Sequence, residues 1–165
     1  MNWTIRDERK GDEAAIRSLV EGAFADHAHS SGIEPDIIER LRHDRSPMLA
    51  LVAEQDGAIV GHITFSPVTI SDGTQGWFGL GPLSVEPAAQ NGGIGSALCE
   101  TGLDRLRKEG AAGCTVLGDP GYYVRFGFAH DPALIFPGVP AEYFQRIVFS
   151  GKPPTGEVSY APAFG

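Results

Sequence analysis

The chain has 165 residues, 42% of them hydrophobic and 21% charged, which fits one ordinary domain with a real core and excludes a disordered tail. Thirteen Lys and Arg stand against 21 Asp and Glu, a formal charge of −8, so nucleic-acid backbones and anionic lipid surfaces are disfavoured partners while cations and amines are not repelled. The compositional excess is glycine, 22 of 165, about twice the usual share.

The N-terminus, Met1 to Lys10, is charged where a signal peptide would be apolar, and no run long enough to span a bilayer occurs. A cytoplasmic location is expected. Asp12 is positioned as an N-cap for a helix over 13–24, where Ala15, Ile16, Leu19, Val20, Ala23 and Phe24 recur at helical spacing. A second helix is predicted over 35–43 from Ile37, Ile38 and Leu41. The polar stretch between them, with His27 and His29, reads as a loop. Its His-x-His spacing has no partner ligands, so no metal is assigned.

From Met48 the period changes. Two apolar runs, 48–54 and 58–65, flank Asp56-Gly57, a strong hairpin signal. A third strand is predicted over 77–85, where Gly79, Gly81 and Pro82 imply a bulge or a break in the ladder. A glycine-rich loop follows, then a helix over 94–109 that Gly110 stops. Residues 114–117 read as a short buried strand, Asp119-Pro120 as the start of a turn or short helix through Phe126, and 143–149 as a last strand. Cys99 and Cys114 lie in apolar stretches without a second pair and read as reduced structural thiols. No repeat or linker marks a second domain, so 1–165 is expected to be one.

The informative unit is strand 77–85, loop 86–93 and helix 94–109. Glycines opening a helix let an anion approach free N–H groups at the positive end of the helix dipole. The GxxxxGK[ST] pattern is absent, and Leu98 stands where a dinucleotide fingerprint needs its third glycine. What Gln90-Asn91-Gly92-Gly93-Ile94-Gly95 does match is Gln/Arg-x-x-Gly-x-Gly/Ala after a strand. Here the sequence resembles the GCN5-related N-acetyltransferase (GNAT) superfamily, in which that loop grips the pyrophosphate of acetyl-CoA. The order of elements agrees over most of the chain. Residues 80–85, Leu-Gly-Pro-Leu-Ser-Val, and 118–128, with Tyr123 and Gly127-Phe128 at the right distance, look like a YhbS-like bacterial branch.

The resemblance implies an α+β fold, with a central, mostly antiparallel mixed sheet, a bulged and splayed strand pair, and helices on both faces. It implies direct acetyl transfer from acetyl-CoA, as co-substrate and without metal, to a primary amine on a small molecule or peptide. The alternative is a non-catalytic acyl-CoA-binding or regulatory module. Family members often pair through their C-terminal strands, so the resemblance is compatible with a homodimer and leaves the oligomeric state open.

Leu83, Ser84 and Val85 would bond the pantetheine arm, and the N–H of Val85 or Leu83 would polarise the thioester carbonyl. Gln90, Asn91, Gly92, Gly93, Ile94, Gly95 and Ser96 would hold the pyrophosphate, and Tyr122 and Phe126 would pack beside the coenzyme. Tyr123 matches the general acid, since a phenol near pKa 10 can protonate a thiolate whose conjugate acid is about 8.5. An alkyl ammonium of pKa about 10.4 must lose a proton before it attacks. Glu86 is the first candidate base and His62 the second. Two departures stand out. Asn91 and Gly92 occupy positions where the family often has Gly and a basic residue, and no Lys or Arg occurs from Ser46 to Asp104. Backbone N–H groups and the helix dipole would then hold the pyrophosphate, unless Arg105, Arg125 or another distant side chain folds over it.

Overall fold

A computed structural model describes residues 2–24, 34–43 and 48–164. The predicted loop carrying His27 and His29 lies outside the described residues. The chain forms two compact units, residues 1–65 with 82–102, and residues 66–81 with 103–165.

In the first unit β1 (Trp3–Asp7), β2 (Leu49–Gln55) and β3 (Ala58–Pro67, to Phe65 in this unit) form antiparallel neighbours. Asp56 and Gly57 both take positive φ, 52° and 81°, and join Gln55 to Ala58 as a two-residue hairpin, the turn type whose twist suits paired strands. α1 (Glu13–Phe24) and α2 (Glu34–His43) cover one face. Ile16, Val20, Ile38 and Val52 pack there, with Ile59 at the margin. The opposite face meets α3 (Ile94–Lys108), whose Gly102 lies against Phe65. Asp12 precedes α1, and its carbonyl takes the first helical hydrogen bond from Ile16 N–H. Its carboxylate accepts from the Arg6 guanidinium at 2.9 and 3.0 Å and from Arg9 N–H at 2.8 Å. The residue fills the predicted place, with its side chain turned back toward β1.

The second unit contains β4 (Thr69–Ile70), β6 (Gly113–Leu117), α4 (Pro120–Tyr123), β7 (Leu134–Ile135), β8 (Phe144–Val148) and β9 (Gly156–Ser159). β6 runs antiparallel to β8, while β4, β9 and β7 make a small sheet. Val68, Ile70, Trp77, Leu134, Phe144 and Val158 form its buried core.

β5 (Trp77–Val85) serves both units, and hydrogen-bonded neighbours follow the order β1-β2-β3-β5-β6-β8. Along that order β1 with β2, β2 with β3 and β6 with β8 are antiparallel, whereas β5 runs parallel to β6. That pairing runs from Trp77 with Gly113 to Leu80 with Val116. It stops one residue before Gly81, whose φ is 142°, and Pro82, which has no N–H to donate. Val68 N–H bonds Trp77 O and Glu86 N–H bonds Val60 O, so between the two bonds β5 carries one residue more than β3. This is the predicted bulge. Among the described residues no helix is long and apolar enough to cross a membrane.

Candidate active site

The loop after β5 opens with a single 3-10 turn at Pro87–Ala89. Gln90 ends that turn and donates from Nε2 to Val85 O at 3.1 Å, tying the loop back to the strand. Asn91 then takes φ 68° and Gly93 φ 90°, and α3 begins at Ile94, with Ala97 N–H bonding Gly93 O at 3.0 Å. The N–H groups of a first helical turn have no acceptor within the helix. Here they belong to Ile94, Gly95 and Ser96. Gln90 through Gly93 are exposed, and a Cβ on Gly93 would meet nothing within 4 Å. The first turn of α3 has no acidic residue, whereas its last turn carries Arg105, Arg107 and Lys108. The C-terminal end of the dipole is thus matched by the chain's own cations, and the N-terminal end is left to an anion. This cradle fits a pyrophosphate.

On β5, Leu83 and Val85 are half-buried, while Ser84 is 2% exposed with its Oγ buried and unpartnered. Glu86 follows at the rim of a cavity of about 530 Å³, lined also by Arg6, Arg9, Asp12 and Glu54. Arg6 is committed there, bonded to both Asp12 and Glu54, which holds the Asp12 carboxyl at about 2. His62 lies on β3 with no exposed surface. Its Nε2 is 2.9 Å from Glu8 Oε1, and Arg42 holds both Glu8 oxygens at 3.0 Å. Glu8 and Arg42 escaped the sequence reading, because 54 and 34 residues separate Glu8 from its two partners and no local pattern marks it.

The remaining candidates belong to the second unit. Asp119 caps α4 by accepting from Gly121 N–H at 2.8 Å, with Pro120 in the first turn. A 3-10 turn, Val124–Phe126, continues it to Gly127 at φ 101°. Tyr123 is half-buried among Tyr122, Phe126 and Phe128, with centroids 5.0, 6.3 and 6.0 Å away. Its ring also covers Gly118, where a Cβ would stand 2.4 Å from Cε2. Close aromatic neighbours leave the ring few rotamers, which fixes where the phenol stands. Arg125 stacks 4.4 Å over Tyr122 and donates to the Tyr122 carbonyl, while Arg105 pairs with Glu109 at 3.1 Å. Both distant cations named from sequence therefore have local partners. Cys99 and Cys114 are buried thiols outside any disulfide, and burial pushes the Cys99 thiol up to about 12, which suits an inert thiol. Among the described residues no group of three His, Cys, Asp or Glu side chains could hold a metal ion.

Residues 14–128 match the Acetyltransferase (GNAT) family. The chain belongs to that family and is an enzyme of the N-acetyltransferase class. It is 34% identical over 144 residues to the uncharacterized N-acetyltransferase YhbS of Escherichia coli K12, spanning 84% of this chain and 83% of that one. In three dimensions it is similar to a GNAT family acetyltransferase from Brucella melitensis in complex with acetyl-CoA, at 46% identity and a TM-score of 0.88 over 99% and 98% of the two chains. It also resembles E. coli YhbS in complex with CoA, at 32% identity and a TM-score of 0.90 over 99% and 92%.

Proposed function

We propose that the whole chain, 1–165, is one N-acetyltransferase domain that moves an acetyl group from acetyl-CoA to a primary amine on a small molecule or peptide. The observation that carries this reading is the open N-terminus of α3 behind Gln90–Gly93, in a chain whose relatives, matched over nearly their full length, are complexes with acetyl-CoA and CoA. The N–H groups of Gly93 to Ser96 hold the pyrophosphate, with Asn91 and Gly92 leaving room for it. Leu83, Ser84 and Val85 bond the pantetheine arm, and Tyr122 and Phe126 flank it. The coenzyme supplies an activated thioester carbonyl.

The chain's own groups then manage charge. An N–H of Leu83 or Val85 stabilises the oxyanion. As the C–N bond forms and the C–S bond breaks, Tyr123 gives its phenolic proton to the departing thiolate and is later reprotonated by the proton that the new amide nitrogen sheds. Before that step a base, Glu86 or His62, must take the ammonium proton. The reading places the reaction in the cytoplasm and admits a homodimer.

Release of free CoA thiol from acetyl-CoA, followed across polyamines, amino acids, aminoglycosides and peptides, tests the reading. At least one amine is expected to accelerate release, and acetyl-CoA is expected to raise Tm. Tyr123→Phe is expected to lower kcat at least tenfold with acetyl-CoA affinity kept. No acceleration by any amine together with no thermal shift would sink the enzyme reading. A thermal shift without transfer would instead favour a binding module.

A further inference from the structure

One buried and two half-buried groups form a chain that the loop and the aromatic cluster do not account for. Arg42 at the end of α2, Glu8 just past β1 and His62 on β3 have side chains 20%, 13% and 0% exposed. Arg42 Nε donates to Glu8 Oε2 and its terminal nitrogen to Oε1, both at 3.0 Å, while His62 Nε2 stands 2.9 Å from Oε1. Burial would push the Glu8 carboxyl up, yet the hydrogen bonds from His62 and Arg42 outweigh it and hold the group at about 2. Glu8 is therefore an ionised acceptor, and the ring nitrogen beside it must carry a hydrogen. That fixes the neutral imidazole as the Nε2–H tautomer and leaves a lone pair on Nδ1.

Nδ1 of His62 is buried without a hydrogen-bond partner, and so is Oγ of Ser84. An unpaired buried polar atom is costly, on the order of 1–3 kcal/mol, so two in one place call for a common explanation. The strand register brings both to one face, with no hydrogen bond between them. The bond from Glu86 N–H to Val60 O sets the register of β3 against β5 beyond the bulge, and counting back two residues puts Ser84 across from His62 on the same face. Val52 of β2 lies opposite His62, and Ile16 and Val20 of α1 pack against Val52. The charged groups that bond at this site are Glu8 and Arg42.

We propose that Glu8 is a positioning residue that holds His62 in the Nε2–H tautomer, so that Nδ1, reached through the Ser84 hydroxyl, takes the ammonium proton of the acceptor amine. This inference rests on the reading of the chain as an amine acetyltransferase and selects His62 over Glu86 as the base. The step balances without a co-reactant. The ammonium N–H bond breaks, its proton passes to Ser84 Oγ as that hydroxyl turns to give its own proton to His62 Nδ1, and the resulting imidazolium faces the Glu8 carboxylate. The neutral amine is free to attack, and the imidazolium returns its proton to solvent after transfer.

The test has one arm that needs no turnover. In the uniformly 15N-labelled full chain, long-range proton–nitrogen correlation of His62, assigned by comparison with His62→Gln, is expected to show a pyridine-type Nδ1 and a pyrrole-type Nε2. Glu8→Gln, which keeps the shape and loses the charge, is expected to blur that pattern into a tautomer mixture. The kinetic arm uses the fastest amine of the panel. His62→Gln is expected to lower kcat about 100-fold at pH 7, a typical general-base contribution, with KM for acetyl-CoA within twofold. Because solvent delivers more neutral amine at higher pH, the deficit should narrow as pH approaches the amine's own pKa. Ser84→Ala and Glu8→Gln are expected to cost about tenfold in kcat.

A protonated Nδ1 in the neutral wild-type ring overturns the proposal even if the variants fail to fold. So does a His62→Gln enzyme whose kcat stays within threefold of wild type, in which case the transferase reading stands. A wild-type chain that acetylates no amine, and whose Tm acetyl-CoA does not raise, removes the transferase reading and this inference together.

Discussion

At Gly102 an added methyl group would stand 2.1 Å from Phe65 Cε1 and 2.5 Å from Cζ, and Phe65 is fully buried with no room to retreat. In an unencumbered helix, glycine to alanine gains up to about 1 kcal/mol from backbone entropy. Here the overlap reverses the sign, since overpacking a filled core costs about 1–3 kcal/mol. Gly102→Ala is expected to lower unfolding free energy by about 1–2 kcal/mol in urea, and Phe65→Leu in the same chain should recover part of the loss. Glu8 gives a second test at this scale. Its carboxyl moves from 4.5 to about 2 on folding. A depressed folded value contributes stability that is complete above the unfolded pKa and disappears as pH falls through the folded one. Stability should therefore be flat near neutrality and decline between about pH 5 and 2, with Glu8 accounting for about 3 kcal/mol of the fall. Urea unfolding at pH 7, 4 and 3 reads this, and Glu8→Gln should flatten the curve.

At the scale of elements, α3 has a positive-φ glycine at each end, Gly93 at 90° and Gly110 at 91°, and neither has an atom within 4 Å of an added Cβ. At the C-terminus, Ala111 N–H bonds Leu106 O and Gly110 N–H bonds Arg107 O, the paired bonds of a Schellman cap. Alanine at either site pays the left-handed penalty of about 1–2 kcal/mol. Only Gly93→Ala should also weaken acetyl-CoA, by about tenfold in a thermal-shift or calorimetric titration, because the proposed grip on the coenzyme uses that end alone. Equal losses of affinity from the two variants would mean that the loop does not grip the ligand. Elements with their own periodicity or punctuation were legible in the sequence: α1, the Asp-Gly hairpin, bulged β5, α3 and its glycine stop. β1, β4, β7 and β9 were not, being strands of two to five residues whose pairing comes from distant segments rather than internal alternation. The site divides the same way. The glycine loop and Tyr123 sit in contiguous motifs, whereas the link from Glu8 to Arg42 and His62 exists only once three separate elements have packed.

For the molecule as a whole, the charge of −8 sets how a polyanionic coenzyme arrives. Two long-range terms compete. Net negative charge repels CoA phosphates at distances beyond contact, and that repulsion is screened within about 10 Å at 0.1 M salt. A cradle of lysines and arginines would work the other way, losing affinity steeply as salt rises. From Ser46 to Asp104 the chain has neither residue, and Arg105 and Arg125 are engaged with Glu109 and Tyr122. A grip made from the N–H groups at the head of α3 acts at hydrogen-bond range, where salt screens least. Raising KCl from 50 to 500 mM should therefore raise the association rate about twofold and lower the acetyl-CoA Kd by the same factor, because the ions remove repulsion on approach without changing the dissociation rate. Stopped-flow binding in parallel with calorimetry measures both. A tenfold weakening over the same range would mean that side-chain cations, and not the backbone of Gly93 to Ser96, carry the pyrophosphate.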